Sequence, residues 1–294
     1  MEKAKVYFIK DITPENLIRI YEALGIELKG KVAVKISTGE LGGHNYLKPE
    51  LIGALVKKLN GTIVENCTAY GGSRQDSKKH WETIDAHGFK KIAPVDLLDE
   101  FGEFDIPVIG GFHLDHDTIG EHTKNYDSML LLNHFKGHMM GGFGGALKNM
   151  SIGVASTAGK LNIHSAGGEN QEQEHVWSHL PAQDDFLESM ADACKGVMDY
   201  FGRRNLAYVS VANNLSVDCD CDSNPADPEM DDLGIFASLD PVALDQARYD
   251  AVKNAKDPGK KALIERMDSR HAIHTVEAAA ELGLGIREYE LITL

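Results

Sequence analysis

Short β-branched or apolar runs alternate with helical patterns along almost the whole chain. That alternation predicts an α/β fold, a mostly parallel sheet flanked by helices. Lys5–Ile9 reads as a first strand. Pro14–Leu24 reads as a helix, with Thr13 as N-cap, Pro14 in the first turn and Gly25 as the stop. Lys31–Ile36 is a second strand, Pro49–Leu59 a helix and Thr62–Glu65 a third strand. Gln75–His87 is a helix closed by Gly88, and Pro107–Ile109 and Met129–Leu132 are further strands. Asp184–Phe201 is a helix, followed by strands at Leu206–Val211 and Gly234–Ala237 with the polar loop Ala212–Asp232 between them. Asp240-Pro241 caps a helix to about Asn254; Val276–Leu282 is a last helix and Arg287–Leu291 a last strand. No fixed-period repeat is present. Ser165–Pro181, rich in Glu, Gln, Gly and His, is a candidate excursion or lid. Residues 1–294 are read as a single domain, with a two-lobed arrangement left open.

Composition narrows the partners. The chain of 294 residues has a formal net charge of -15, which argues against nucleic acid or an anionic membrane as the main partner. A local basic pocket stays open. No apolar run approaches the roughly 20 residues that span a bilayer, and MEKAKVYFIKD lacks the apolar core of a signal peptide, so the expected location is the cytoplasm. Cys67, Cys194, Cys219 and Cys221 are too scattered for a disulfide framework. No CxxC pair exists, so neither a zinc ribbon nor a ferredoxin-type cluster loop is encoded.

Asn133–Asn149, NHFKGHMMGGFGGALKN, concentrates chemistry. His134, Lys136, His138 and Lys148 are interspersed with Gly137, Gly141, Gly142, Gly144 and Gly145 after an apolar strand. Three other loops carry polar chemistry: Ser37–Asn45, with Gly39, Gly42, Gly43 and His44; Asn66–Arg74; and Gly110–Asp117. In an open parallel sheet, ligands gather at the carboxyl ends of strands, so all four loops are expected at one edge. For any single loop a structural turn is the better reading; together they favour a shared pocket. None fits GxxxxGK[ST] or GxGxxG. Glycine-loop amides can still cradle an anion, with Arg74 or Lys148 as the fixed charge. The cofactor-binding candidates are therefore these seven loop glycines (39, 42, 43, 141, 142, 144 and 145), Arg74 and Lys136.

His113 and His116 lie among Asp115 and Asp117, a set suited to zinc, nickel, iron or manganese, or equally a surface turn with incidental histidines. Asp218–Asp222 reads DCDCD; extended, it would present its carboxylates on one side and both thiols on the other. A calcium loop is rejected there, since Ser223 replaces the needed glycine and no helix precedes it. Thiolate metal binding by Cys219 and Cys221 stands beside a plain polar turn. Spacing alone assigns no Ser-His-Asp or Cys-His arrangement.

The strings HFKGHMMGGFGGALKN, VAS-x-AGK, DCDC, GIFASLDPVALDQA and ELGLGIREYELITL together resemble the domain-of-unknown-function family three-six-two, whose members are often labelled "uncharacterised Fe–S center protein". The likeness runs from VKISTGELGG to Leu294. Many members carry a ferredoxin-like insert after the segment matching Asn162–Ser165; here Ser165–Pro181 has no cysteine, so no iron–sulfur cluster is expected in this chain. A more distant likeness is to the lactate racemase family, through His138, Lys148 ten residues on and His164 sixteen further. That resemblance implies His138 as acid/base, Lys148 as the tether of a nickel-pincer nucleotide and His164 as metal ligand. Its second acid/base histidine would be His113 or His116.

Three functions follow as expectations. The first is a metal- or cofactor-dependent isomerase or oxidoreductase on a small anionic substrate, catalysed through His138 and Lys148, with metal ligands drawn from His164, His113, His116, Cys219 and Cys221. The second is an iron–sulfur or other metal-binding redox module, and the third a non-catalytic phosphate- or nucleotide-binding protein. The metal would be a divalent transition ion such as nickel, zinc or iron. A homo-oligomer and a separate redox partner are left open.

Overall fold

The computed structural model describes residues 3–294. The chain runs β1 (Ala4–Ile9), α1 (Pro14–Ala23), β2 (Val32–Lys35), α2 (Pro49–Lys58), β3 (Thr62–Glu65), α3 (Ser77–His87), β4 (Val95–Leu97), β5 (Glu103–Pro107), β6 (His116–Gly120), β7 (Ser128–His134), β8 (Lys136–His138) and β9 (Gly142–Gly144). It continues α4 (Ala146–Met150), α5 (Thr157–His164), α6 (Gln173–Ser178), α7 (Gln183–Phe201), β10 (Leu206–Ala212), β11 (Gly234–Ser238), α8 (Pro241–Asn254), α9 (Lys260–Ser269), α10 (His274–Glu281) and β12 (Tyr289–Thr293). No helix among the described residues is long and apolar enough to cross a membrane.

Eight strands form one sheet in the order β12-β1-β11-β10-β7-β2-β3-β4. From β10 to β4 all pairings are parallel; β11 pairs antiparallel with β10 and β1. Helices cover both faces, which is why β7 is buried along its whole length. Its side chains alternate: Leu130 and Leu132 pack in the cluster holding α1 and α2, Met129 and Leu131 in the cluster holding α4, α7 and α8.

Local signals account for the helix ends. Thr13 accepts a hydrogen bond from the Asn16 amide at 3.2 Å, and Asp240 accepts one from Ala243 at 2.9 Å. Helix α3 starts later than the sequence predicts because Asp76 caps it, and Gly88, at φ +83°, ends it. Pro107–Ile109 is not a strand of the main sheet. Pro107 closes β5, which pairs only with β6 in a separate antiparallel hairpin. The segment Asn133–Asn149 is likewise not one loop, since β8 and β9 pair within it.

The glycine-rich segment is anchored by α8, which packs on the same face of the sheet as α4. Asp245 of α8 accepts hydrogen bonds from the amides of Ala146 and Leu147, at 2.8 and 3.0 Å, at the start of α4. Arg248, one turn along α8, pairs with Asp245 and donates to Asn133 at 2.8 Å. A Cβ on Gly145 would lie 2.6 Å from the Asp245 carboxylate, so only glycine admits this approach. Asp245 and Arg248 are fully buried, and removing one member of such a pair leaves an uncompensated charge. Asp245→Ala should therefore lower stability by about 3–5 kcal/mol, read as a shift in the urea midpoint. Asp245→Leu combined with Arg248→Met should restore most of that loss; equal midpoints for wild type and Asp245→Ala would contradict the account.

Candidate active site

The carboxyl ends of β2, β3, β7 and β10 open onto one cavity of about 820 Å³. The loops after β2, β3 and β7 converge there as the sequence predicts. Gly110–Asp117 does not: it joins β5 to β6 and none of it lines the cavity. The fourth contribution comes instead from the polar loop after β10, through Asp218, Cys219, Cys221 and Asp222.

Charge pairing sorts the basic residues of the wall. Lys35 ends β2 beside the end of β3, and its ammonium lies 2.6 Å from Glu65. Arg74 bonds Glu40 at 2.9 Å and Glu65 at 3.0 Å, and Tyr70 at 3.1 Å. Its fork is spent on protein carboxylates, which corrects its reading as an anion-binding group. Burial alone would raise the pKa of both glutamates; Arg74 together with the Ser73 hydroxyl and amide overcomes it at Glu40, and Lys35 and Arg74 with His80 at Glu65, holding both carboxyls below the usual range. Lys136 is spent similarly, 2.7 Å from Asp220, whose other oxygen takes the His134 ring at 2.8 Å. Lys160 donates to the Ala155 carbonyl, and burial, only partly offset by Asp99, lowers its pKa to about 8. Lys148, half-buried on α4, has neither hydrogen bond nor ion pair for its ammonium among the described residues.

Of the three histidines that line the cavity, His134 is tied to Asp220 and the Asn213 carbonyl, and the other two are held in opposite tautomers. His164 faces the Lys160 carbonyl with Nδ1 at 2.6 Å. A carbonyl only accepts, so Nδ1 carries the proton and Nε2 keeps its lone pair. His138 Nδ1 accepts from the amides of Gly141 and Met140, at 2.9 and 3.3 Å, so its proton sits on Nε2. Burial disfavours the charged form of both rings, with Lys148 adding to the effect; His138 titrates well below its ordinary range and His164 at about 4.

Cys219, Cys221 and His138 bring two Sγ atoms and a ring nitrogen within 4.8 Å of one another. Asp218–Asp222 is a turn, closed by the Asp222 amide on the Cys219 carbonyl at 2.9 Å, and not an extended run. The thiols share a side as expected, but the carboxylates disperse, with Asp220 buried on Lys136. A hydrogen bond from Cys221 favours thiolate on Cys219 against the opposing effect of burial, and Lys148 and Lys136 reinforce it; Cys221 correspondingly keeps its proton.

The predicted metal ligands therefore divide. His164, Cys219 and Cys221 line the cavity, whereas His113 bonds Glu188 at 2.6 Å on α7 and His116 pairs with its neighbour Asp115. Most of the candidate glycines serve chain packing. The space a Cβ would need is taken by Tyr46 at Gly39, by Ser223 O at Gly42, by Asp222 O at Gly43 and by Ala272 at Gly142. Gly141 is less crowded but lies off the wall; Gly144 and Gly145 do line it. Sequence reasoning missed Lys35, Glu65 and Lys160. Their signal was a charged residue ending an apolar run, as in VAVK and TIVE, or a lysine among small residues, as in TAGK.

The sequence pattern of the family described as Domain of unknown function (DUF362) matches residues 32–250. No curated protein matches the chain. Among solved structures, the lactate racemase apoprotein from Thermoanaerobacterium thermosaccharolyticum is similar at 14% identity and a TM-score of 0.47, over 84% of this chain and 56% of its own. A protein from Thermotoga maritima is similar at 10% identity and a TM-score of 0.39, over 91% and 58%. This chain thus spans less than two thirds of the length of either. With well over half of its residues matched, the chain belongs to the DUF362 family.

Proposed function

We propose that the protein is an isomerase or oxidoreductase that acts on a small anionic substrate with the help of a transition metal or a metal-bearing cofactor. One observation carries the reading. In a cavity where Lys35, Arg74 and Lys136 are each paired with a carboxylate, Lys148 stands without a partner among the described residues, in the same cavity as two neutral histidines of opposite polarity. Lys148 supplies the charge for a carboxylate or phosphate. His138, with its proton on Nε2, is the hydrogen donor; His164, with an open Nε2, is the acceptor or ligand. His138 and His164 keep the acid/base and ligand roles that the likeness to lactate racemases implies; for Lys148 that likeness implies a covalent cofactor tether instead.

The donor set fits a soft or borderline metal. Thiolate, thiol and imidazole suit nickel, zinc or iron(II) better than magnesium or calcium. Cys219 and Cys221 would hold it. His138 could join only by giving up its Nδ1 bonds to the backbone, which assigns it to proton transfer rather than coordination. Bound there, the metal would supply Lewis acidity or an electron acceptor beside the substrate.

Elemental analysis and intact-mass spectrometry of protein from its native source should find a transition metal, or an adduct on Lys148, that is lost in Cys219→Ser/Cys221→Ser or in Lys148→Ala respectively. An unmodified mass together with a metal content indifferent to these changes would sink the proposal.

The histidines also predict an acid dependence. In the unfolded chain an imidazole takes up its proton near pH 6.5, and in the folded protein His164 does so only at about 4. The folded pKa is the lower one, so this ring's contribution is full above pH 6.5 and is lost as pH falls toward 4, at up to about 1.4 kcal/mol per unit. His164→Asn keeps a donor for Lys160 O without a titrating ring, so its stability should fall less steeply over that window. Parallel urea titrations at pH 7 and pH 5 check this; matching slopes would show that His164 is not held neutral.

A further inference from the structure

A second group of metal-binding side chains lies outside the cavity, where three elements remote in sequence meet. The β5–β6 turn brings His113, the first turns of α7 bring Asp184, Asp185 and Glu188, and the turn before α10 together with its first residue brings His271 and His274. His113 Nε2 lies 2.6 Å from Glu188 Oε2 and 4.0 Å from Asp185. The other Glu188 oxygen takes His274 Nε2 at 2.9 Å, and His274 turns its Nδ1 toward Glu277 at 3.8 Å. We propose that His113, Asp185 and Glu188 form a surface site for a divalent transition metal of the zinc class, with His274 orienting Glu188.

Three observations favour this over simple ion pairing. The donor atoms of His113, Asp185 and Glu188 all lie within 4.8 Å of one another, close enough for small side-chain shifts to bring them around one ion. Asp185 and Glu188 have only imidazoles as ion-pair partners among the described residues, with no lysine or arginine to balance two carboxylates; a divalent cation does so. The histidine is also pinned in advance. Buried Asp192, one turn beyond Glu188 on α7, accepts the amides of Phe112, His113 and Leu114 at 2.8, 2.7 and 2.9 Å. A Cβ at Gly111 would lie 2.9 Å from that carboxylate, so glycine is required for the turn to reach it. A site held by backbone bonds loses little conformational freedom on taking up an ion. The adjoining set of Asp184, His271 and His274 has comparable spacing but is more exposed and lacks this pinning.

The test is zinc titration by isothermal calorimetry of the chelator-treated full chain in the Cys219→Ser/Cys221→Ser background, which disables the thiols of the cavity. One zinc should still bind. His113→Ala, and separately the isosteric Glu188→Gln, should each weaken it at least tenfold, whereas His271→Ala should change it less than twofold. Circular dichroism identifies any variant that fails to fold, and Glu188→Gln then carries the test. No zinc bound in the Cys219→Ser/Cys221→Ser background, or affinity lost with His271→Ala but kept with His113→Ala, overturns the assignment. A failure of the cavity as a metal site leaves these outcomes unaffected, so the two proposals stand or fall separately.

Discussion

Burying cations at the end of a sheet is costly, and the wall of this cavity holds four of them almost out of water: Lys35, Arg74, Lys136 and Lys160. Glu65 lies at the centre of the solution. Its two oxygens take Lys35, Arg74 and the Thr38 amide and hydroxyl; Glu40 shares Arg74, Asp220 takes Lys136, and Lys160 rests on the Ala155 carbonyl with Asp99 partly offsetting its burial. Each carboxylate therefore decides which basic residue is structural. Pairing consumes Arg74 and Lys136, the residues whose type best suits anion binding, and leaves the less distinctive Lys148 as the charge that faces the cavity. The electrostatic character of the site is set by these acids more than by its bases.

The fold was legible wherever local chemistry speaks for itself. Thr13-Pro14 and Asp240-Pro241 mark helix starts by capping, and the apolar β7 could only be a strand covered on both faces. Helix α5 was illegible for the converse reason. Gly159 through His164 are all buried, so no polar face remains to reveal a 3.6-residue period. Helix α9 has no side-chain cap to announce it. In the site, the loops after parallel strands were predictable from topology. The exception, Gly110–Asp117, follows from β5 and β6 pairing antiparallel with each other, which turns their loop toward α7. The pairing of Arg74 with Glu40 and of Lys136 with Asp220 spans 34 and 84 residues and leaves no trace in local sequence.

The glycines illustrate a related inversion. A glycine cluster suggests a bare backbone offered to a ligand, yet at Gly42, Gly43 and Gly145 the bare backbone is offered to other parts of the chain. Gly42 and Gly43 admit the carbonyls of Ser223 and Asp222, which lets the turn bearing Cys219 and Cys221 lie against the loop after β2. Gly145 admits Asp245, which fixes the first turn of the helix that carries Lys148. The ligand-facing chemistry is thus assembled by backbone contacts behind the wall, and composition registers the assembly rather than the binding.

The same logic sets the polarity of the two histidines. Nothing about an imidazole dictates which nitrogen keeps its proton; here the choice is made by main-chain groups. The turn between β8 and β9 aims the amides of Met140 and Gly141 at His138, forcing the proton to Nε2. A helical carbonyl one turn back forces the proton of His164 to Nδ1. The β8–β9 turn depends in turn on Gly142, at φ +75° and packed where a Cβ would meet Ala272 at 2.4 Å. The glycine-rich segment therefore reaches the chemistry indirectly: its conformation places one proton, and that placement gives one cavity a donor ring and an acceptor ring instead of two equivalent ones.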